Sequence, residues 1–149
     1  MSYRDVFGEI LADHHESPRN WGRLVDATKE EQGYNPLCGD KVTVSIKVDH
    51  EQVQSVHFEG EGCSICMASA SIMTEKVQGH TKAEVFKLIE GFREKMQGAA
   101  VVDGMPAEDS EDDIVALYGI KRFPVRIKCA LLAWTTLNKA LKNETEVHS

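Results

Sequence analysis

Cys38, Cys63, Cys66 and Cys129 are the residues of this chain best suited to chemistry, and three of them sit where a thiolate could be held and used. Cys38 lies in the tight run Asn35-Pro36-Leu37-Cys38-Gly39-Asp40. Cys63 follows Gly60-Glu61-Gly62 at the start of a helical pattern, and Cys129 falls within the first two turns of another. A thiol of ordinary acidity is only about 3% thiolate at pH 7, so its use depends on something that stabilises the anion. A metal does this outright, and the unpaired N–H groups of a helix N-terminus do it in part. In Cys38-Gly39-Asp40 the glycine lets the chain fold back and aim a thiol and a carboxylate at one point. Cys38, Cys63, Cys129 and the Asp40 carboxylate then supply the four donors of tetrahedral zinc. Soft thiolates select zinc or iron-sulfur species over calcium or magnesium. The gaps between these residues match no short zinc-finger spacing, so folding must assemble the site. An Asp after Gly in a turn also commonly serves only as a backbone hydrogen-bond partner, which leaves Asp40 two readings on local chemistry.

Cys63-Ser64-Ile65-Cys66 is formally a C-x-x-C. The βαβ setting of a thioredoxin-like redox pair is missing around it, and Cys66 shares an apolar stripe with Ala70, Met73 and Val77, the pattern of a packed core thiol. The six histidines, at 14, 15, 50, 57, 80 and 148, do not adjoin Cys38, Cys63 or Cys129; His50 reads as a turn residue and His57 as a strand residue. No G-x-S-x-G elbow is present, which argues against a serine hydrolase. A net charge of −7 without a basic stripe argues against a nucleic-acid partner. The opening Met1-Ser2-Tyr3-Arg4-Asp5 lacks the apolar segment of a signal peptide, and no stretch approaches the roughly 18 apolar residues of a membrane span. The expectation is a cytoplasmic protein with no membrane partner, in which cysteines serve metal or sulfur chemistry more often than disulfides.

With 149 residues and 42% hydrophobic content, the chain suffices for one domain over 1–149 whose core does not need metal to fold. Ser2-x-x-Asp5 resembles a capping box, and Val6, Phe7, Ile10, Leu11 and His14 hold helical spacing until Pro18. Residues 19–37 carry little periodicity and read as a connection over the surface. Val42, Val44, Ile46 and Val48 then alternate with polar residues, a strand with one buried face, and Val53, Val56 and Phe58 form an antiparallel partner with a slip in its alternation. After Gly62 the period changes to that of helices. One helix, from Ser64, is apolar on two faces; a second opens on Thr81-x-x-Glu84 and ends at Gly98. Residues 99–113 form an acidic insertion, with a short helix from Ser110 to Tyr118. Phe123-Pro124 opens a long final helix, and Asn143 to Ser149 read as disordered. The fold expected is α+β, a small antiparallel sheet near 42–60 packed on one face by several helices.

These residues resemble the U-type iron-sulfur assembly family, IscU and SufU, over nearly the whole chain. The resemblance is carried by His14-x-x-x-Pro18-Arg19-Asn20-x-Gly22, by Asn35-Pro36-Leu37-Cys38-Gly39-Asp40, by Gly60-Glu61-Gly62-Cys63 leading into its helix, and by Lys128-Cys129. Scaffold members usually place a histidine before the third cysteine and a Leu-Pro-Pro-Val-Lys-like stretch upstream. Here those places hold Lys128 and Lys121-Arg122-Phe123-Pro124-Val125-Arg126, and with the acidic insertion they point to the SufU branch. The resemblance implies a fold of the SufE/IscU kind. It also implies a zinc protein that takes persulfide sulfur from a SufS-like cysteine desulfurase onto Cys38, with Cys38, Asp40, Cys63 and Cys129 as metal ligands and downstream iron-sulfur assembly proteins as further partners. The alternative it carries is a scaffold that assembles a [2Fe-2S] cluster on the same cysteines. Cys66 is a departure, since the family commonly has serine there.

Overall fold

Alternation of apolar and polar residues from Asp40 to Asp49 makes the central strand of a three-stranded antiparallel sheet. The computed structural model describes residues 3–97, 114–118, 120 and 123–147. Its elements run α1 (Tyr3–Glu16), β1 (Lys29–Asn35), β2 (Asp40–Asp49), β3 (Gln52–Glu61), α2 (Ser64–Val77), α3 (Lys82–Gln97), α4 (Val115–Tyr118) and α5 (Pro124–Val147). The strands lie in the order β1-β2-β3. Val42, Val44 and Ile46 of β2 and Val53, Val56 and Phe58 of β3 are buried in one apolar cluster with α2, α3, α4 and α5. The slip expected in the second strand is a register shift: Lys47 pairs with Ser55 and Val48 with Val53, so Gln54 is the extra residue. That bulge lets both Val53 and Val56 reach the core.

The strand β1 corrects the expectation that residues 19–37 are only a connection. Lys-Glu-Glu-Gln-Gly-Tyr-Asn has no apolar alternation to announce it. Its strand form comes from continuous pairing with β2, from Lys29 opposite Ile46 to Asn35 opposite Asp40, and from α5 lying across it. Pairing partners this distant leave no local trace in sequence.

Among the helices, α2 is central, with ten buried residues from Cys66 to Val77, as its two apolar stripes require. The helix α3 starts on the expected capping box: the Thr81 N–H donates to Glu84 Oε1 at 2.8 Å, and the Glu84 N–H donates to Thr81 Oγ1 at 3.1 Å. Hydrogen bonds to the carboxyl from the Thr81 backbone N–H first, and then from the Thr81 side chain, hold Glu84 below its ordinary range. Pro124 is the first residue of α5, and Trp134 pins that helix to both neighbours, stacking on Phe92 at 4.3 Å and donating from Nε1 to Ser69 Oγ at 3.0 Å. A second correction concerns the C-terminus, where α5 continues to Val147 rather than ending in disorder near Asn143. Asn143 Nδ2 donates to Glu31 Oε1 of β1 at 3.0 Å, and no Gly or Pro interrupts the residues beyond it. The expected capping residue Ser2, the acidic insertion at 99–113, the start of the short helix at Ser110, and Lys121-Arg122 lie outside the described residues. Among the described residues no helix is long and apolar enough to cross a membrane.

Candidate metal centre

The alternation that buries Val42, Val44 and Ile46 also places Asp40, one step earlier in the same phase, on the buried face. Its side chain is fully enclosed, at 0% exposure. Oδ1 accepts the backbone N–H of Cys63 at 2.8 Å, and Oδ2 accepts Asn35 Nδ2 at 3.3 Å. Cys38 stands one turn away, in the loop Pro36 to Gly39 that joins β1 to β2, and Gly39 closes this loop with φ +71°. Cys129, in the second turn of α5, is buried, and its Sγ lies 3.1 Å from Cys38 Sγ. One donor atom from each of Cys38, Asp40 and Cys129 falls within 4.8 Å of the others. Cys63, the N-cap residue of α2, brings its Sγ to 4.0 Å from Asp40 Oδ2.

The structure therefore gathers all four residues that the sequence singled out, from a hairpin loop, a strand end and two helix starts. The tight group is Cys38, Asp40 and Cys129, with Cys63 beside the carboxylate. Burying a lone carboxylate costs several kcal/mol, and the two hydrogen bonds to Asp40 offset only part of that. Burial pushes the Cys129 thiol up, and its contacts with Cys38, Asp40 and Cys63 push in the same direction. Without a cation the cluster thus resists a second negative charge. A thiophilic divalent cation reverses this logic, since it deprotonates the thiols and neutralises the carboxylate together. The donor set fits such an ion. On the exposed side Arg126 approaches, its guanidinium favoured first by a hydrogen bond with Cys129 and then by the charges of Cys63, Cys129 and Cys38. Lys128, next to Cys129 in sequence, is exposed.

Cys66 is fully buried at the third position of α2, and burial first, then the charges of Asp40, Cys63 and Cys38, raise its thiol. It packs in the core as its apolar stripe required. Two residues escaped the sequence reading. Asn35 is buried, donates from Nδ2 to Asp40 Oδ2, approaches Cys129 Sγ at 3.7 Å, and accepts the Leu37 N–H on Oδ1 at 3.3 Å. Its signal in sequence, an Asn before Pro, indicated only a turn. Gly62 is the other: a Cβ there would overlap Asp40 Oδ1 and lie 3.0 Å from both Cα and Cβ of Asp40. The His14 to Gly22 segment serves elsewhere. His14 Nδ1 bonds Ser71 Oγ at 2.7 Å, the Arg19 N–H donates to the same hydroxyl at 2.9 Å, and Asn20 Nδ2 donates to Thr74 Oγ1 at 3.0 Å. These contacts fasten α1 and the following loop to the middle of α2.

Around the opening, Leu37, Phe123 and Val125 are exposed apolar side chains, and a groove of about 540 Å³ lined by Ile65, Ile120, Phe123, Pro124, Val125 and Arg126 runs beside them. Such a collar is the sort of surface that a protein partner covers.

The model of the NifU-like N terminal domain matches residues 6–147. The chain belongs to this family. Among the relatives of this NifU-like chain is the zinc-dependent sulfurtransferase SufU of Bacillus subtilis, 39% identical over 93% of this chain and 91% of that protein. The iron-sulfur cluster assembly scaffold protein IscU of Thermotoga maritima is also 39% identical, over 95% and 96%. A crystal structure from Fervidobacterium islandicum, of a protein assigned as an iron-sulfur cluster assembly scaffold for the SUF system, superposes with a TM-score of 0.79 at 32% identity, covering 94% of this chain and 99% of that one. The fold is the α+β arrangement of that family, with three strands where two were expected.

Proposed function

We propose that this protein works in iron-sulfur cluster biogenesis as a zinc-dependent sulfur acceptor, taking persulfide sulfur from a cysteine desulfurase onto Cys38. The observation that carries the reading is a difference in attachment: Cys38 is a half-buried thiol on a hairpin loop, while Asp40 and Cys129 are buried on a strand and a helix. Cys38, Asp40, Cys63 and Cys129 would hold the zinc, which when bound keeps the thiols deprotonated at neutral pH. The chain's own residues supply the rest. The loop from Pro36 to Gly39 lets Cys38 turn outward without disturbing β1 or β2. Its thiolate attacks the outer, sulfane sulfur of the desulfurase persulfide, that S–S bond breaks, the donor cysteine leaves as thiolate, and Cys38 carries the new persulfide. Arg126, at the mouth of the site, offers a cation to the anion formed there. The apolar collar of Leu37, Phe123 and Val125 gives the partner a surface to cover, which excludes water from the exchange.

The likeness to the Bacillus sulfurtransferase supports this reading, and Lys128 in place of the scaffold branch's histidine favours it further. The equal likeness to the Thermotoga scaffold supports a second one, in which the same cysteines receive iron and sulfide and build a [2Fe-2S] cluster as product. Incubating the zinc-loaded protein with desulfurase and cysteine, then mapping persulfide by mass spectrometry, tests the first. Sulfane sulfur on Cys38 is expected. Persulfide confined to Cys63 or Cys66, or full desulfurase stimulation by Cys38→Ser, overturns it, and a stable cluster chromophore forming in place of zinc favours the scaffold.

A further inference from the structure

We infer that Asn35 is a positioning residue that ties the loop carrying Cys38 to the buried donors, so that the outward turn of Cys38 and the loosening of Asp40 are one event. The tie rests on hydrogen bonds alone. Its meaning for sulfur transfer rests on the reading of Cys38 as the acceptor.

Asn35 is the last residue of β1, buried, and directly across from Asp40, the first residue of β2. It shares a strand face with Gly33, whose missing Cβ would meet Thr136 of α5, so its side chain turns toward the helix that carries Cys129. Both ends of its amide are used. Oδ1 accepts the Leu37 N–H at 3.3 Å, an Asx turn across Pro36. Nδ2 donates to Asp40 Oδ2 at 3.3 Å and approaches Cys129 Sγ at 3.7 Å. A flipped amide would set N–H against the Leu37 N–H and oxygen against the Asp40 carboxylate, so the partners fix its sense. Serine and aspartate can also accept an N–H two residues on. Among short side chains, asparagine carries that acceptor together with a separate donor group on one planar end.

Cys38 sits between the two ends of this tie, one residue after Leu37 and two before Asp40. Pro36, Leu37 and Gly39 are all exposed, so little packing holds the loop in place. The Leu37 hydrogen bond therefore sets the resting position of Cys38, with its sulfur 3.1 Å from that of Cys129. When Cys38 turns outward the Leu37 N–H leaves Oδ1. The amide is then free to rotate, and Asp40 loses its Nδ2 donor. One side chain thus links the departure of the loop thiol to the hold of the anchored carboxylate.

The test compares three full-length proteins: the parent, Asn35→Ala and Asn35→Ser. Serine can accept the Leu37 N–H but is too short to reach the Asp40 carboxylate. Deuterium exchange of the Leu37 amide, followed by NMR on isotope-labelled protein, reads the tie directly, and pulse alkylation of Cys38 reads its consequence. Trypsin leaves Cys38 in a peptide free of the other cysteines. Asn35→Ala should speed exchange and alkylation by about fivefold, the effect of one hydrogen bond. Asn35→Ser should bring both back to within about twofold of the parent. Its zinc affinity, measured by chelator competition, should stay about tenfold weak, as in Asn35→Ala. Both variants lack the Nδ2 donor, so any change in thiol charge is common to them and cancels in the comparison. Restored protection without restored affinity is a split that a merely structural residue would not give. Unchanged Leu37 exchange in Asn35→Ala overturns the proposal, as does an Asn35→Ser protein that matches Asn35→Ala in exchange and alkylation. Parental zinc affinity in Asn35→Ser also overturns it, since the Nδ2 end would then hold nothing. If Asn35→Ala does not melt cooperatively, Asn35→Ser against the parent decides by the same split. No desulfurase enters these measurements, so the tie and the acceptor reading can fail separately.

Discussion

Cys38 and Cys129 place their sulfurs 3.1 Å apart but reach that point by opposite routes. Cys38 hangs from a four-residue loop between two strands, beside exposed Leu37, where Gly39 and the Asn35 side chain shape the backbone. Cys129 is built into α5, one residue before Ala130, whose carbonyl accepts Ser69 Oγ at 2.6 Å, so it cannot move without shifting that helix on α2. Two thiols with the same local chemistry therefore differ in freedom. One is suited to leaving a metal and meeting a partner, the other to staying.

The strongest way to break this comparison is to exchange the two thiols for serine. Cys38→Ser should reduce sulfur acceptance by about a thousandfold or more, as loss of a nucleophile does, while leaving the melting temperature near that of the parent. Cys129→Ser should also destabilise the apo fold, by about 1–3 kcal/mol, because it buries a hydroxyl in a space shaped for sulfur. Thermal melts of both apo variants and a persulfide assay decide the matter; equal losses of stability would end the distinction between loop and helix.

Metal affinity sharpens it next. Asp40→Ala should weaken zinc by about 100-fold or more, and Asn35→Ala, which removes the hydrogen bond that orients the carboxylate, by about tenfold. Competition titration against a chelator measures both. If the Asp40 change leaves affinity intact, Asp40 is only a backbone partner of Cys63. Acid should release zinc, because every thiol donor must lose its proton to bind and regains it as pH falls. The apo chain should still melt cooperatively, since the apolar cluster is built mostly from residues outside the donor set, with Cys129 in it and Cys38 and Cys63 at its edge.

Gly62→Ala tests how tightly the anchored half is fitted. The added methyl meets the Asp40 carboxylate and backbone, so a loss of about 1–3 kcal/mol is expected with a matching drop in zinc affinity. Denaturant unfolding of apo and zinc-loaded protein separates the two effects. Thr81→Ala gives the smallest change, about 1 kcal/mol from the lost cap of α3, with zinc affinity unaltered because that helix end is remote from the thiols. A change in affinity there would mean that the site responds to global stability.

Sequence alone determined the parts whose cause is local. The Val42-Val44-Ile46 alternation, the two-faced stripe of α2, the Thr81–Glu84 capping box and Pro124 at the first turn of α5 are each dictated by neighbours within a few residues. Cys38, Asp40, Cys63 and Cys129 could be selected because their residue types narrow the chemistry. Only the tertiary structure decided where that chemistry meets. The strand β1 exists because β2 and α5 hold a polar segment that has no pattern of its own, and the α5 tail is fixed by Asn143 reaching Glu31. Asn35 and Gly62 became site residues for the same reason: one donates to a carboxylate five residues on, and the other makes room for it from just beyond the end of β3. A hydrogen bond or a vacant Cβ position between segments brought together by folding has no periodicity, so it could be seen only once the sheet and helices were in place.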